Sequence, residues 1–277
     1  MQEGSLYLAT SLEGGLAALA ERGDRGVPLA GATWIMRAPI RNERLDADFV
    51  AISRIVDLRG IDADARAIRI GACVTHAELA AFPLPGCEAL KSAAAQSANP
   101  AIRNVATLGG NLGAAGFHAS DLVPALLSLD AAVEVEWQGG EERFNLGEFL
   151  GRRGRLPSGS LVTHVVVPRC PGTSAHVRLP LRRAGDYPVA NVSISAETDA
   201  SGTLREVRIA VGSVEATARR WTRLEGALVG QKKSPELAAE LAESCIGDFQ
   251  GRDGVDAPGW YRVKVLPSLV RKAFQSL

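Results

Sequence analysis

Up to about Pro171, short apolar runs alternate with helical stripes, and beyond that point the pattern changes. In "SLEGGLAALAER", Leu12, Leu16 and Leu19 share one helical face, and Ser11 stands where an N-cap belongs. "VPLAGATWI" reads as a buried strand running into a turn. "AIRIGACV" alternates with the period of a half-buried strand, and Thr75 and Glu78 have capping-box spacing for the helix that follows. The helical stretch "GCEALKSAAAQSA" is stopped by Asn99-Pro100, since a residue before proline avoids helical geometry. Ser120 or Asp121 is placed to cap "LVPALLSL", and "AAVEVEWQGGEERFNL" predicts a hairpin about Gly139-Gly140.

A linker-like patch, "GRRGRLPSGS", precedes the strand "LVTHVVVP". Proline and glycine then interrupt both periodicities from Pro168 to Ala175, the main boundary. "VANVSISAETD" and "LREVRIAVGSV", joined through Ala200-Ser201-Gly202, predict an antiparallel pair. Three helical segments follow: "ATARRWTRLEGALVG", "SPELAAELAESCIG" and "GWYRVKVLPSLVRKAF". Ser234 and Pro235 form an N-cap and N1 pair, and Pro267 predicts a kink or a late start. Two domains are expected, residues 1–171 and 172–277.

Composition narrows the function. Hydrophobic residues at 46% and charged ones at 22% are ordinary for a globular chain. The 31 basic and 31 acidic residues cancel, and without a long basic run neither nucleic acid nor an anionic membrane is favoured. Arg152-Arg153, Arg182-Arg183 and Arg219-Arg220 read as solvated edges. No segment has signal-peptide form or approaches the roughly 20 apolar residues of a span, so a cytoplasmic location without a membrane span is expected. Cys73, Cys87, Cys170 and Cys245 are scattered and read as free thiols, and His76, His118, His164 and His176 are equally dispersed. No metal site is expected on this chain.

Chemistry concentrates in two small-residue turns, "LAGATW" (Leu29 to Trp34) and "TLGGNLGAAG" (Thr107 to Gly116). Small side chains and available backbone N–H groups at a chain reversal suit phosphate oxygens, and two such turns suit a pyrophosphate. Asp121 stands ready to cap its helix or to accept from ribose hydroxyls. For any single Gly-Gly pair taken by itself, a tight turn is the preferred explanation. Other nucleotide and hydrolase signatures are absent: no GxGxxG opens a βαβ unit, and neither GxxxxGK[ST] nor GxSxG occurs.

"AIRNVATLGGNL" followed by "SDLVPALLSLDA" resembles the signature of the FAD-binding subunit of molybdenum hydroxylases, the carbon-monoxide dehydrogenase and xanthine dehydrogenase family. "LAGATWIM" is similar to that family's first phosphate loop, and "FVAISRIVDLRGI", "RRAGDYPVANVSI", "VGSVEATARRWTRLEGALVG" and "YRVKVLPSLVRKAF" follow in family order. The likeness runs from about Ser11 to Phe274.

The resemblance implies an α+β fold, a vanillyl-alcohol-oxidase-type (PCMH-like) FAD-binding domain followed by a smaller domain with an antiparallel sheet and helices. It places Ala30, Gly31, Ala32, Thr33 and Trp34 on one side of the FAD diphosphate and Thr107, Gly109, Gly110 and Asn111 on the other. Asp121 would lie at the ADP ribose and Arg178 near the isoalloxazine. It further implies a large molybdopterin subunit and a small subunit with two [2Fe–2S] clusters, in a heterotrimer that is commonly doubled. Electrons would pass from the clusters through FAD to an external acceptor, so no catalytic acid, base or nucleophile is assigned. A stand-alone flavoprotein would instead need a substrate pocket with a base, and a flavin-free structural subunit would need neither.

Three departures stand out. Ala32 replaces the usual second glycine of the first loop, Trp34 replaces a smaller polar residue, and "GAAGFHAS" is one residue longer than the family's run.

Overall fold

The computed structural model describes residues 4–83, 85–181 and 187–277. Residues 182–186, which include Arg182-Arg183 and the start of "RRAGDYPVANVSI", lie outside the described residues. The chain divides into two compact units that are not contiguous in sequence. One comprises residues 1–78, 100–117 and 131–168, and the other residues 79–99, 118–130 and 169–277.

The first unit holds two sheets. Strands β1 (Leu6–Leu8), β2 (Gly26–Leu29) and β3 (Asp48–Ala51) form a parallel sheet in the order β1-β3-β2. The helix Leu12–Arg22 begins as predicted, with the Ser11 side chain accepting from the N–H of Gly14. β2 is half-buried along its length rather than buried, because it is an edge strand of this small sheet. The second sheet runs β4-β5-β8-β6-β7 and is antiparallel, built from β4 (Ile61–Ala63), β5 (Ala67–Gly71), β6 (Ala132–Trp137), β7 (Gly140–Asn145) and β8 (Leu161–Pro168). Gly139, at φ +95°, turns the predicted β6–β7 hairpin. Leu19, Val50, Ile52, Ile55, Leu58, Cys73 and Leu161 close an apolar core in this unit, with Leu12, Leu16 and Ala30 packed against it.

The second unit is built on one antiparallel sheet in the order β12-β11-β10-β9, from β9 (Thr173–Pro180), β10 (Pro188–Thr198), β11 (Leu204–Gly212) and β12 (Arg219–Arg220). The predicted pair is β10–β11, turned through Gly202 at φ +78°. Strand β9 begins inside the segment read as a boundary. Strand β12 occupies the start of a segment read as helical, and the helix begins only at Thr222. There the N–H of Trp221 bonds to the carbonyl of Ile209, keeping the chain on the sheet edge. Pro267 marks a late start: one helix ends at Lys264 and another runs Leu266–Gln275.

Alternation along β10 sends Val192 and Ile194 to a core shared with Ile209, Trp221, Leu269 and Phe274. Asn191, Ser193 and Ser195 point to the opposite face, yet they too are buried. That second face is covered by the helices Glu88–Gln96 and Leu122–Ser128. It is the polar interior of the unit.

Candidate functional site

Both predicted turns lie in the first unit, and the structure brings them together. The first leaves the carboxyl end of β2, where open parallel sheets commonly receive ligands. It runs through Ala30 to Trp34 and enters the short helix Ile35–Arg41. Gly31 lies against the second turn's approach: a Cβ at this position would sit 1.7 Å from the Val105 carbonyl oxygen and 2.6 Å from its carbon. Only glycine permits that backbone-to-backbone contact.

The next residue, Ala32, adopts φ +57°, the left-handed conformation for which glycine is the natural occupant. Left-handed residues of this kind help neighbouring amides converge into an anion-binding nest. Among the described residues, the N–H groups of Gly31, Ala32 and Thr33 meet no protein acceptor. Three successive donors are thus open at a half-exposed surface, and their chemistry fits the diphosphate of FAD.

The second turn is arranged differently. Thr107 caps the short helix Leu108–Gly113, its hydroxyl accepting from the N–H of Gly110 at 3.2 Å. The amide of Leu108 bonds to the Val74 carbonyl at 2.9 Å, that of Gly109 to the Ala72 carbonyl at 2.8 Å, and that of Asn111 to the Thr107 carbonyl at 2.9 Å. Gly109 must be small for packing, since a Cβ there would lie 2.6 Å from the Cβ of Ala72. Gly110 is exposed and Asn111 half-exposed. Here the glycines serve the fold as much as any ligand.

Asp121 and Arg178 belong to the second unit, where they meet each other. Ser120 performs the capping, accepting from the N–H of Val123 at 3.0 Å, and Asp121 makes no side-chain cap. Asp121 is 4% exposed. Its Oδ1 lies 2.9 Å from the Asn191 amide nitrogen, 3.2 Å from Arg178 Nε and 3.3 Å from His176 Nε2. Register explains the cluster: Asn191 pairs with Arg178 and Ser193 with His176 across β9–β10, so all four share the polar face. Burial raises the Asp121 pKa, but the hydrogen bond and charge of His176, with Arg178 and Asn191, outweigh it and leave the carboxyl below its ordinary value. Arg178 also donates to the carbonyl of Gln96 at 2.8 Å.

Three groups at the paired turns had no sequence signal: Val105, whose carbonyl packs against Gly31 without a hydrogen bond, and the side chains of Arg41 and Arg153. Arg41 lies over the Trp34 ring, and Arg153 donates to the carbonyls of Leu112 and Ala115. Arginine at such spacings is indistinguishable from a solvated edge. Among the described residues there is no group of three or more His, Cys, Asp or Glu able to hold a metal, and no helix is long and apolar enough to cross a membrane. Cys73, Cys87 and Cys245 are buried free thiols, and Cys170 is a half-buried one.

Residues 2–170 match the family described as the FAD binding domain in molybdopterin dehydrogenase, and residues 175–277 match the CO dehydrogenase flavoprotein C-terminal domain. The chain belongs to this family. It is an FAD-binding medium subunit of the molybdenum hydroxylase type, an oxidoreductase component. It is 30% identical to the 6-hydroxypseudooxynicotine dehydrogenase complex subunit alpha of Paenarthrobacter nicotinovorans, over 96% of this chain and 91% of that protein. It is 25% identical to the glyceraldehyde dehydrogenase medium chain of Sulfolobus acidocaldarius, over 99% and 98% respectively. The fold matches a chain of the carbon monoxide dehydrogenase of Hydrogenophaga pseudoflava with a TM-score of 0.89 at 23% identity, covering 99% of this chain and 96% of that one. The α+β architecture expected from the resemblance is therefore the one observed.

Proposed function

We propose that this chain carries FAD as the electron-transfer subunit of a larger complex. A small partner subunit with two [2Fe–2S] clusters would supply the electrons, a large molybdopterin subunit would oxidise the organic substrate, and FAD would pass the electrons to an external acceptor. The relatives' descriptions as a complex's subunit alpha and as a medium chain support membership of a multi-subunit complex, and the heterotrimer, commonly doubled, is what the resemblance implies.

FAD, when bound, supplies the redox chemistry, and the protein supplies binding, orientation and exclusion of water. The open amides of Gly31, Ala32 and Thr33 would take the diphosphate on one side, with Ala30 anchoring their loop in the core and Trp34 ending it. Thr107, Gly109, Gly110 and Asn111 would form the facing surface. Asp121 at the ribose and Arg178 beside the isoalloxazine stay assigned by resemblance. Any ribose contact from Asp121 would use a carboxylate already surrounded by His176, Arg178 and Asn191.

The observation that carries the reading is the run of three unpartnered amides held against the backbone that leads into the second turn. Gly110→Leu tests it. A side chain there would meet only the Thr107 hydroxyl, at 2.9 Å, and otherwise project outward. The variant should fold and purify without yellow flavin absorbance. A normal flavin-to-protein ratio would remove the second turn from the site.

A further inference from the structure

The amide-bearing segment Gly31–Thr33 is tethered at two points. Its first tether is the backbone contact of Gly31 with Val105. Its second is Trp34, whose ring stands 4.9 Å from that of Phe117, tilted by 44°. Phe117 stands inside the lengthened run that follows Leu112, its N–H bonded to the Ala114 carbonyl. Neither ring belongs to the unit's apolar core, and both are half-buried.

Each ring is held from behind. The Arg41 guanidinium lies 4.0 Å from the Trp34 ring centroid, and its Nη1 donates to the Trp34 carbonyl at 3.0 Å. Glu43 takes the same guanidinium through both oxygens, at 2.9 and 2.5 Å, which fixes its plane over the ring. On the other side Arg153 donates to the carbonyls of Leu112 at 2.8 Å and Ala115 at 3.1 Å, pinning the run that carries Phe117. Burial holds the Arg153 pKa below the ordinary guanidinium range, the cost of placing it there.

We infer that Arg41, Trp34 and Phe117 form a latch across the two turns that keeps the Gly31–Thr33 amides converged and thereby governs how fast FAD leaves. They are positioning residues, and the inference rests on the FAD reading above. Amides fixed in place before binding lose less freedom when the diphosphate arrives, so opening the latch weakens retention without removing a single donor. Two of the departures from the family pattern, the tryptophan and the longer run, then belong together: the first supplies one ring and the second delivers the other.

The test is FAD release from the full chain, followed by recovery of free-flavin fluorescence after dilution, with the melting temperature of the flavin-free protein measured alongside. Trp34→Ala and Phe117→Ala should each speed release about tenfold, a size set by the ring contact that both remove and, for Trp34→Ala, the Arg41 contact as well. The double variant should be no faster than Trp34→Ala alone, because Phe117→Ala breaks only the ring contact that Trp34→Ala already removes. Phe117→Tyr should restore the original rate. Should Phe117→Ala fail to fold, Arg41→Gln carries the prediction with an increase of about threefold. Unchanged release in these variants, or effects that multiply in the double variant, overturns the latch. If the unaltered chain itself retains no FAD, the reading of the site falls; if it retains FAD and the variants release it at the same rate, only the latch falls.

Discussion

In Leu29–Trp34 the amides of Gly31, Ala32 and Thr33 are open, and a non-glycine residue occupies a left-handed position. In Thr107–Gly116 the amides of Leu108, Gly109 and Asn111 are taken by protein carbonyls, and that of Gly110 by the Thr107 hydroxyl. As sequence the two are both short runs of small residues. As structure, the first is a donor surface and the second is a packed support that brings the donors into register. Small residues at a turn therefore report close backbone approach, and the hydrogen-bond inventory decides whether that approach serves a ligand or the fold.

The sharpest way to break the comparison is a methyl group on each side. Gly31→Ala places a Cβ 1.7 Å from the Val105 oxygen, which forces the turns apart. Overpacking of this kind costs about 1–3 kcal/mol. Because the displaced atoms are the donor loop, the cost should fall on FAD, with retention weakened roughly tenfold or more and a small change in melting temperature. Gly109→Ala pushes instead on Ala72, whose carbonyl also holds the Gly109 amide. There the loss should appear as stability, at roughly 2–4 °C of melting temperature per kcal/mol. If both variants lose flavin and stability in equal proportion, the two turns do not have separate roles.

A smaller effect separates the turns further. Removing the cap with Thr107→Ala should destabilise by about 1 kcal/mol and leave the Gly110 amide unpartnered, while Thr107→Ser should behave like the original protein. Calorimetry of the flavin-free chain reads this directly. A Thr107→Ala variant of full stability would mean that the helix Leu108–Gly113 is held by its packing alone.

What could be read from sequence was the local part. The Ser11 cap, the reciprocal Thr75–Glu78 capping box, the Ser234 cap and the turns at Gly139 and Gly202 involve neighbours a few residues apart, and all are present. Strands β9 and β12 escaped because an edge or a boundary stretch has no strong periodicity, and pairing across the sheet makes them strands. The same limit applies to the site. Which residues would line the turns was legible, while the Gly31–Val105 contact and the company around Asp121 depend on segments far apart in the chain. Even the choice between Ser120 and Asp121 as cap was settled by distance: Asn191, His176 and Arg178 claim the aspartate, so the serine is left to cap.

The finest test concerns Ala32 alone. At φ +57° its methyl group crowds the following carbonyl, a cost of about 1–2 kcal/mol for an L-residue. Glycine removes that crowding but adds freedom to the unfolded chain, which returns about 0.5–1 kcal/mol. Ala32→Gly should therefore raise stability by no more than about 1.5 kcal/mol, seen as a slightly higher urea midpoint with an unchanged slope. Its effect on FAD should have the opposite sign, since a glycine between two donors lets them wander before the diphosphate arrives. A variant that is both more stable and tighter for FAD would show that the strained alanine does not help hold the amides in place.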